Sequence, residues 1–201
     1  MVMKLVIFAI VNYLIGSVPW ALVIGKTFYH TDVRQFGSGN PGATNTGRVL
    51  GRKPAVIVAV LDALKGTVAY LLEALIDPAS ALFASIFVVI GHCYPVFASF
   101  KGGKGVATAM GLILGISLSS VKMLMGCFLF PILVWFLISH FTQYVSLASL
   151  FALLTAACMS TLMSDNIYIT LVFTLIFALV AFRHHENIKR LIAGNESKKN
   201  Y

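Results

Sequence analysis

The chain reads as an all-α polytopic membrane protein, and three observations point there. Of its 201 residues, 59% are hydrophobic and only 11% charged, whereas soluble domains carry about 25% charged residues. So few charges cannot cover the outside of an ordinary soluble core. The apolar residues fall in continuous runs of roughly 17–25, the length that crosses the hydrocarbon layer as a helix. They do not alternate with period two, which argues against a membrane β-barrel. Aliphatic abundance and aperiodic glycine exclude disorder and collagen. Cys93, Cys127 and Cys158 lie far apart in apolar segments without metal spacing, so they read as small buried hydrophobes. No period of 20–50 residues repeats, which excludes solenoids.

Seven runs are expected to span, with six as the alternative count: 2–24, 54–76, 80–100, 105–121, 123–139, 144–163 and 166–182. The first lacks an A-x-A-like cleavage site and is expected to be a retained helix. The 105–121 run, rich in Ser and Thr, is the weakest of the seven. Pro95 and Pro131 are expected to kink their helices. Inside the second run, Asp62 and Lys65 stand at i, i+3 and read either as a functional intramembrane site or as a mutually paired couple facing the bundle. His92 reads as a hydrogen-bonded bundle histidine. The whole of 1–201 is expected to be one membrane domain.

Charge then orients the chain. Lys26, Arg34, Arg48, Arg52, Lys53, Lys101, Lys104, Arg183, Lys189, Arg190, Lys198 and Lys199 make twelve of the 15 basic residues, all in connections on one side. The other side receives Lys4 and Lys122. This asymmetry predicts an outside N-terminus and a cytoplasmic C-terminus. The net charge of +8 could suit nucleic acid, but the aromatics lie inside apolar runs, not on a basic patch. Anionic lipid or an anionic substrate is the better match, with no nucleic acid partner.

Three polar stretches carry the unusual chemistry. Gly37-Ser38-Gly39-Asn40-Pro41-Gly42-Ala43-Thr44-Asn45-Thr46-Gly47-Arg48 combines glycines, which let N–H groups converge on an anion, with neutral donors and one arginine. A turn-rich connector is the competing reading. Phe100-Lys101-Gly102-Gly103-Lys104-Gly105 precedes a helix start and makes a plausible phosphate cradle. It is not a P-loop, because Gly105 follows Lys104. Two topogenic lysines around a tight turn would also explain it. Arg183-His184-His185-Glu186-Asn187 follows the last span. There His184 and Asn187, at i, i+3, would share a face if the helix continued. The segment also suits an interfacial amphipathic helix. HExxH is absent, and no metal or cofactor site is expected.

Together these stretches resemble the bacterial acyl-phosphate:glycerol-3-phosphate acyltransferases of the PlsY type. The similarity is carried by GSGNPGATNTGRVLG at 37–51, GHCYPVFASFKGGKGVAT at 91–108, YVSLASL at 144–150 and RHHENIKRLIAGNE at 183–196. It covers essentially the whole chain, specifically in the loops and only compositionally in the helices. It implies transfer of a fatty acyl group from acyl phosphate to the 1-hydroxyl of glycerol 3-phosphate, giving lysophosphatidic acid and phosphate. It implies Ser38, Arg48, Lys104, His184 and Asn187 as catalytic residues, with Thr44, Asn45 and Ser146 binding substrate. The glycine-rich backbone of Gly39, Asn40 and Gly42, and of Lys101, Gly102 and Gly103, is expected to hold phosphate. The implied setting is the bacterial inner membrane, with the enzyme that supplies acyl phosphate as a candidate partner. No histidine has Asp five residues later, so the His-x4-Asp dyad of other glycerol-phosphate acyltransferases is missing. An anion transporter, which would need midplane polar sites, and a non-catalytic membrane subunit stand as rival readings.

Overall fold

The computed structural model describes residues 2–199, and among them every regular element is helical. They divide into two compact units, one running through Leu112 and the other Ile113–Lys199.

The first unit holds α1 (Val2–Gly16), α2 (Trp20–Tyr29), α3 (Ala43–Leu50), α4 (Arg52–Ala74), α5 (Pro78–Ala84), α6 (Ile86–Cys93) and the first half of α7 (Val106–Ser117). Helix α4 shows the logic of a membrane solvent. Its inward face carries Asp62, Lys65, Thr67 and Glu73, all buried. Val56, Ile57, Val60, Leu64 and Val68 point outward and are exposed. The polar face is inside because lipid cannot hydrogen-bond it.

Pro19 breaks the path from α1 to α2, since it has no N–H to continue the helical ladder. Gly16 O and Val18 O, left without their helical partners, accept hydrogen bonds from Lys65 Nζ at 2.9 and 3.0 Å. Lys65 also pairs with Asp62 Oδ1 at 2.8 Å, so the couple expected from spacing is present. Near the far end of α4, Asn12 Nδ2 donates to Glu73 Oε2 at 2.8 Å.

Small residues bring these helices together. A Cβ on Gly16 would collide with the Val88 carbonyl, one on Gly91 with Tyr13, one on Gly66 with Thr108, and one on Gly111 with Ala63. Such backbone approach is the main adhesive available where lipid tails are as apolar as leucine. Asp77 starts α5 by accepting from Ser80 N and Ser80 Oγ, with Pro78 in the first helical position.

In the second unit, α8 (Val121–Met123), a π-helical stretch Leu124–Leu129 and α9 (Phe130–Thr142) form one apolar path of 22 residues. The widened turn lies just before Pro131, whose missing N–H relaxes the ladder there. Thus Pro131 disturbs its helix by local widening. Pro95 instead follows the end of α6 and opens a 3₁₀ turn, Val96–Ala98. Helix α10 (Val145–Met163) packs against α9 and α11 (Ile167–Arg183). Trp135 Nε1 donates to Ser149 Oγ at 3.2 Å. Asn166 caps α11 by accepting from Tyr168 N.

The fold is that of an all-α membrane protein. Among the described residues, five helical stretches have the length and apolarity to cross: 2–29, 52–74, 78–98, 121–142 and 145–163. A sixth is reached if α11 and α12 (His185–Ile192), bent by 63°, are one span. The run expected at 105–121 forms a helix of only 12 residues, about 18 Å of a roughly 30 Å core.

Replacing Gly111 by Leu forces a side chain into the α4 backbone at Ala63. The detergent-solubilised protein is expected to lose about 1–3 kcal/mol of stability, or to yield little folded material. Leu64→Met on the lipid face should leave the thermal midpoint near that of the parent.

Candidate functional site

Within the first unit, the loop before α3 is built around one buried side chain. Asn45 donates through Nδ2 to Val33 O at 2.8 Å and to Phe36 O at 3.1 Å. Its Oδ1 accepts from Ser38 N at 2.8 Å. The amide expected to bind substrate is therefore committed to holding residues 33–38 in place. Thr46 Oγ1 donates to Gly42 O, tying the helix start to the loop. Gly37 and Gly39 sit at φ +60 and +69, the left-handed region where glycine avoids a Cβ clash.

Helix α3 begins at Ala43 with Gly42 as an uncapped N-cap. The first N–H groups of such a helix point outward along its axis and favour an anion. Thr44 is half-buried there. Ser38 and Gly39 are exposed and Asn40 half-buried on the same loop. Arg48, one turn into the helix, is exposed, and no carboxylate lies within ion-pair distance among the described residues. Arg34, by contrast, forks onto Asp32 at 3.0 and 2.7 Å. These bonds hold the Asp32 carboxyl well below the usual carboxylate range.

The lysine-glycine loop is the second component. Gly102 and Gly103 are buried and Lys104 is half-buried, while Lys101 is exposed. The two glycines are required by contact. A Cβ on Gly102 would strike His92 O, Cys93 O and Pro95, and one on Gly103 would strike the His92 ring. Gly103 N donates to His92 O at 3.1 Å. The His92 ring is in turn held, with Nδ1 at 3.3 Å from Asp62 Oδ1 and 3.2 Å from Thr108 Oγ1.

A narrow cleft of about 10 Å³, room for roughly one water, opens among these parts, lined by Gly16, Val18, Pro19, Trp20, Pro41, Lys65, His92, Pro95, Gly102 and Gly103. Pro41 from the first glycine-rich loop and Gly102–Gly103 from the second thus share one wall. Sequence reasoning missed Trp20, whose buried Nε1 has no hydrogen-bond partner among the described residues. Its position just after the helix-breaking Pro19 was the available signal.

The third stretch is built within the second unit. Helix α11 ends at Arg183, and His184 (φ −99, ψ 6) turns the chain into α12. The helix does not continue straight, yet Ile188 N donates to His184 O, so His184 and Asn187 stand in the first turn of the new helix. Both are buried. His184 Nδ1 lies 2.8 Å from Val180 O. A carbonyl can only accept, so Nδ1 carries the proton.

Glu196 organises this region and was also missed. Its side chain is 5% exposed and accepts from Asn187 Nδ2 at 2.6 Å, Ser146 Oγ at 2.8 Å and Arg190 Nε at 2.8 Å. Gly194, at φ +71, turns the chain just upstream. That glycine, followed closely by an acid after a basic helix, was a legible hint. Burial alone would raise the Glu196 carboxyl, but the three donors outweigh it and hold it below the ordinary glutamate range. The expected site residues Ser146 and Asn187 are thus joined through one carboxylate.

The fold and these loops define an integral membrane protein with two glycine-rich loops beside a small cleft among apolar helices. Residues 6–194 match the family model described as glycerol-3-phosphate acyltransferase. A glycerol-3-phosphate acyltransferase 2 of Bacillus anthracis is 44% identical, over 94% of this chain and 96% of the relative. A glycerol-3-phosphate acyltransferase of Listeria welshimeri is 43% identical over 98% of both. The crystal structure of PlsY, an integral membrane glycerol 3-phosphate acyltransferase, in its glycerol 3-phosphate form superposes with a TM-score of 0.88. That protein is 39% identical, and the match covers 98% of this chain and 96% of the other. The lysophosphatidic acid form gives 0.86. The chain belongs to the glycerol-3-phosphate acyltransferase family.

Because the Glu196 carboxyl titrates lower in the folded protein than in the unfolded chain, its stabilisation is complete above the ordinary value of about 4.3 and is lost as pH falls through the lowered one. Thermal midpoints between about pH 3 and pH 7 should show an acid limb for the parent. Glu196→Gln should be less stable at neutral pH and lose most of that limb.

Proposed function

We propose that this protein transfers a fatty acyl group from acyl phosphate to the 1-hydroxyl of glycerol 3-phosphate at the cytoplasmic face of the bacterial inner membrane. The observation that carries the reading is the cleft whose wall joins Pro41 to Gly102–Gly103. Both loops are glycine-rich and each bears a cation, Arg48 or Lys104. The family's other members supply the acceptor substrate by analogy, and they favour an enzyme over an anion transporter.

Both substrates carry phosphate, and one carries a long chain. Arg48 and Lys104 neutralise phosphate charge, Arg48 with a fork that suits two oxygens and Lys104 as a point charge. The backbone from Gly39 to Asn45, at the start of α3, wraps a second anion. Asn45 contributes by keeping Ser38 and the loop in position. In the first unit Ser38 orients the reacting groups; His184 and Asn187 of the second unit are further proposed catalytic residues.

The chemistry needs no nucleophile from the protein. The 1-hydroxyl oxygen attacks the acyl carbonyl carbon, the bond from that carbon to the phosphate oxygen breaks, and phosphate leaves with the electron pair. The hydroxyl proton goes to the departing phosphate. An acyl phosphate is already activated, so positioning and charge neutralisation supply the rate. Among the described residues no His-Asp pair is bonded to Ser38, which supports direct transfer.

Purified protein should form lysophosphatidic acid from acyl phosphate and not from acyl-CoA or acyl-carrier protein. Arg48→Ala and Lys104→Ala should each lower kcat/KM by roughly 10²–10³-fold. Near-normal turnover in both would refute the phosphate cradle. In a rapid-quench experiment no acyl group should be found on Ser38, and a stable acyl-Ser38 would reject direct transfer.

A further inference from the structure

We propose that Asp62 and His92 are positioning residues that set the place of Lys104 by clamping its loop from both sides. The inference deepens the acyl-transfer reading and rests on it. The geometry is compact. Gly103, immediately before Lys104, donates its N–H to His92 O at 3.1 Å and packs its α-carbon on the His92 ring. Thr108, four residues after Lys104, places Oγ1 at 3.2 Å from His92 Nδ1. Between them Gly105 turns the chain at φ +84 into α7. One residue therefore touches the loop on either side of the lysine, and the short path between the two anchors leaves the Lys104 backbone little freedom.

His92 is itself held. Asp62 Oδ1 stands 3.3 Å from Nδ1, and a carboxylate at that distance favours the ring form with the proton on Nδ1. Lys65 holds Asp62 in place, being paired with it at 2.8 Å and bound to two carbonyls of the α1–α2 break. An ion pair this buried is costly relative to apolar side chains of similar size. A pair serving only to satisfy itself would not need the histidine. Here the carboxylate has a second task, because its remaining contact lies on the residue that holds the loop.

A residue that acts through Lys104 should lose its effect when Lys104 is gone. The test is a double-mutant cycle on the purified full-length protein with acyl phosphate and glycerol 3-phosphate. His92→Gln and Asp62→Asn are each combined with Lys104→Ala, and Thr108→Val serves as an independent probe of the same clamp. Each single variant should raise KM for one phosphorylated substrate roughly tenfold while changing kcat less than about threefold. In the Lys104→Ala background the same substitutions should change kcat/KM by less than about twofold. Equal losses with and without Lys104 would overturn the proposal, as would parent-like kinetics in all three single variants. Should His92→Gln or Asp62→Asn fail to fold, Thr108→Val decides by the same criteria. Absence of acyl transfer by the parent would instead defeat the functional reading, and is scored before any variant.

Discussion

Inside a bilayer no water completes an unmet hydrogen bond, and this single constraint governs the first unit. Pro19 interrupts a membrane helix and leaves the Gly16 and Val18 carbonyls without their helical partners. In water the break would be inexpensive. In lipid an unmet carbonyl costs several kcal/mol, so a cation is brought to the break from the neighbouring helix. Lys65 supplies that cation, and Asp62 balances it. The ion pair inside α4 is thus the counterpart of the break between α1 and α2. It also fixes the location of the cleft, whose wall includes Gly16, Val18, Trp20 and Lys65.

Glycine has two separate physical roles in this chain. At Gly37, Gly39 and Gly105 the backbone takes positive φ, so the residue is chosen for conformation. At Gly102 and Gly103, and between the helices at Gly16, Gly66, Gly91 and Gly111, the residue is chosen for the absence of a side chain against a neighbouring backbone or ring. The second role explains why a loop that resembles an anion nest is also the tightest packing point of its surroundings. Rigidity and anion binding are compatible here, since a cradle that need not reorganise loses less on binding.

The second unit solves an analogous problem with an anion. Glu196 gathers Ser146 from α10 with Asn187 and Arg190 from α12, so a residue beyond the last helix anchors that helix. The bend at His184 makes this possible. It turns α12 away from the line of α11 and keeps His184 and Asn187 in one helical turn. A straight continuation would have preserved the same i, i+3 spacing but carried both residues along the span direction.

Much was legible from composition and residue order. Long apolar runs determine an all-helical membrane protein because only helices satisfy their own backbone in lipid. The Asp62–Lys65 pairing follows from spacing on one helix, and the family follows from the three polar stretches. What the order of residues could not decide were the contacts between distant segments. The run at 105–121 is apolar enough to span, yet it forms only 12 helical residues, Val106–Ser117, because Ser120 turns extended and caps the start of α8. Asn45 has the chemistry of a ligand, but tertiary folding directs its amide to Val33, Phe36 and Ser38. Glu196 and Trp20 carry no motif of their own, and their importance comes from the partners that folding assembles, or fails to assemble, around them. Periodicity and composition act locally, whereas the hydrogen-bond account of a buried polar group closes only across the fold.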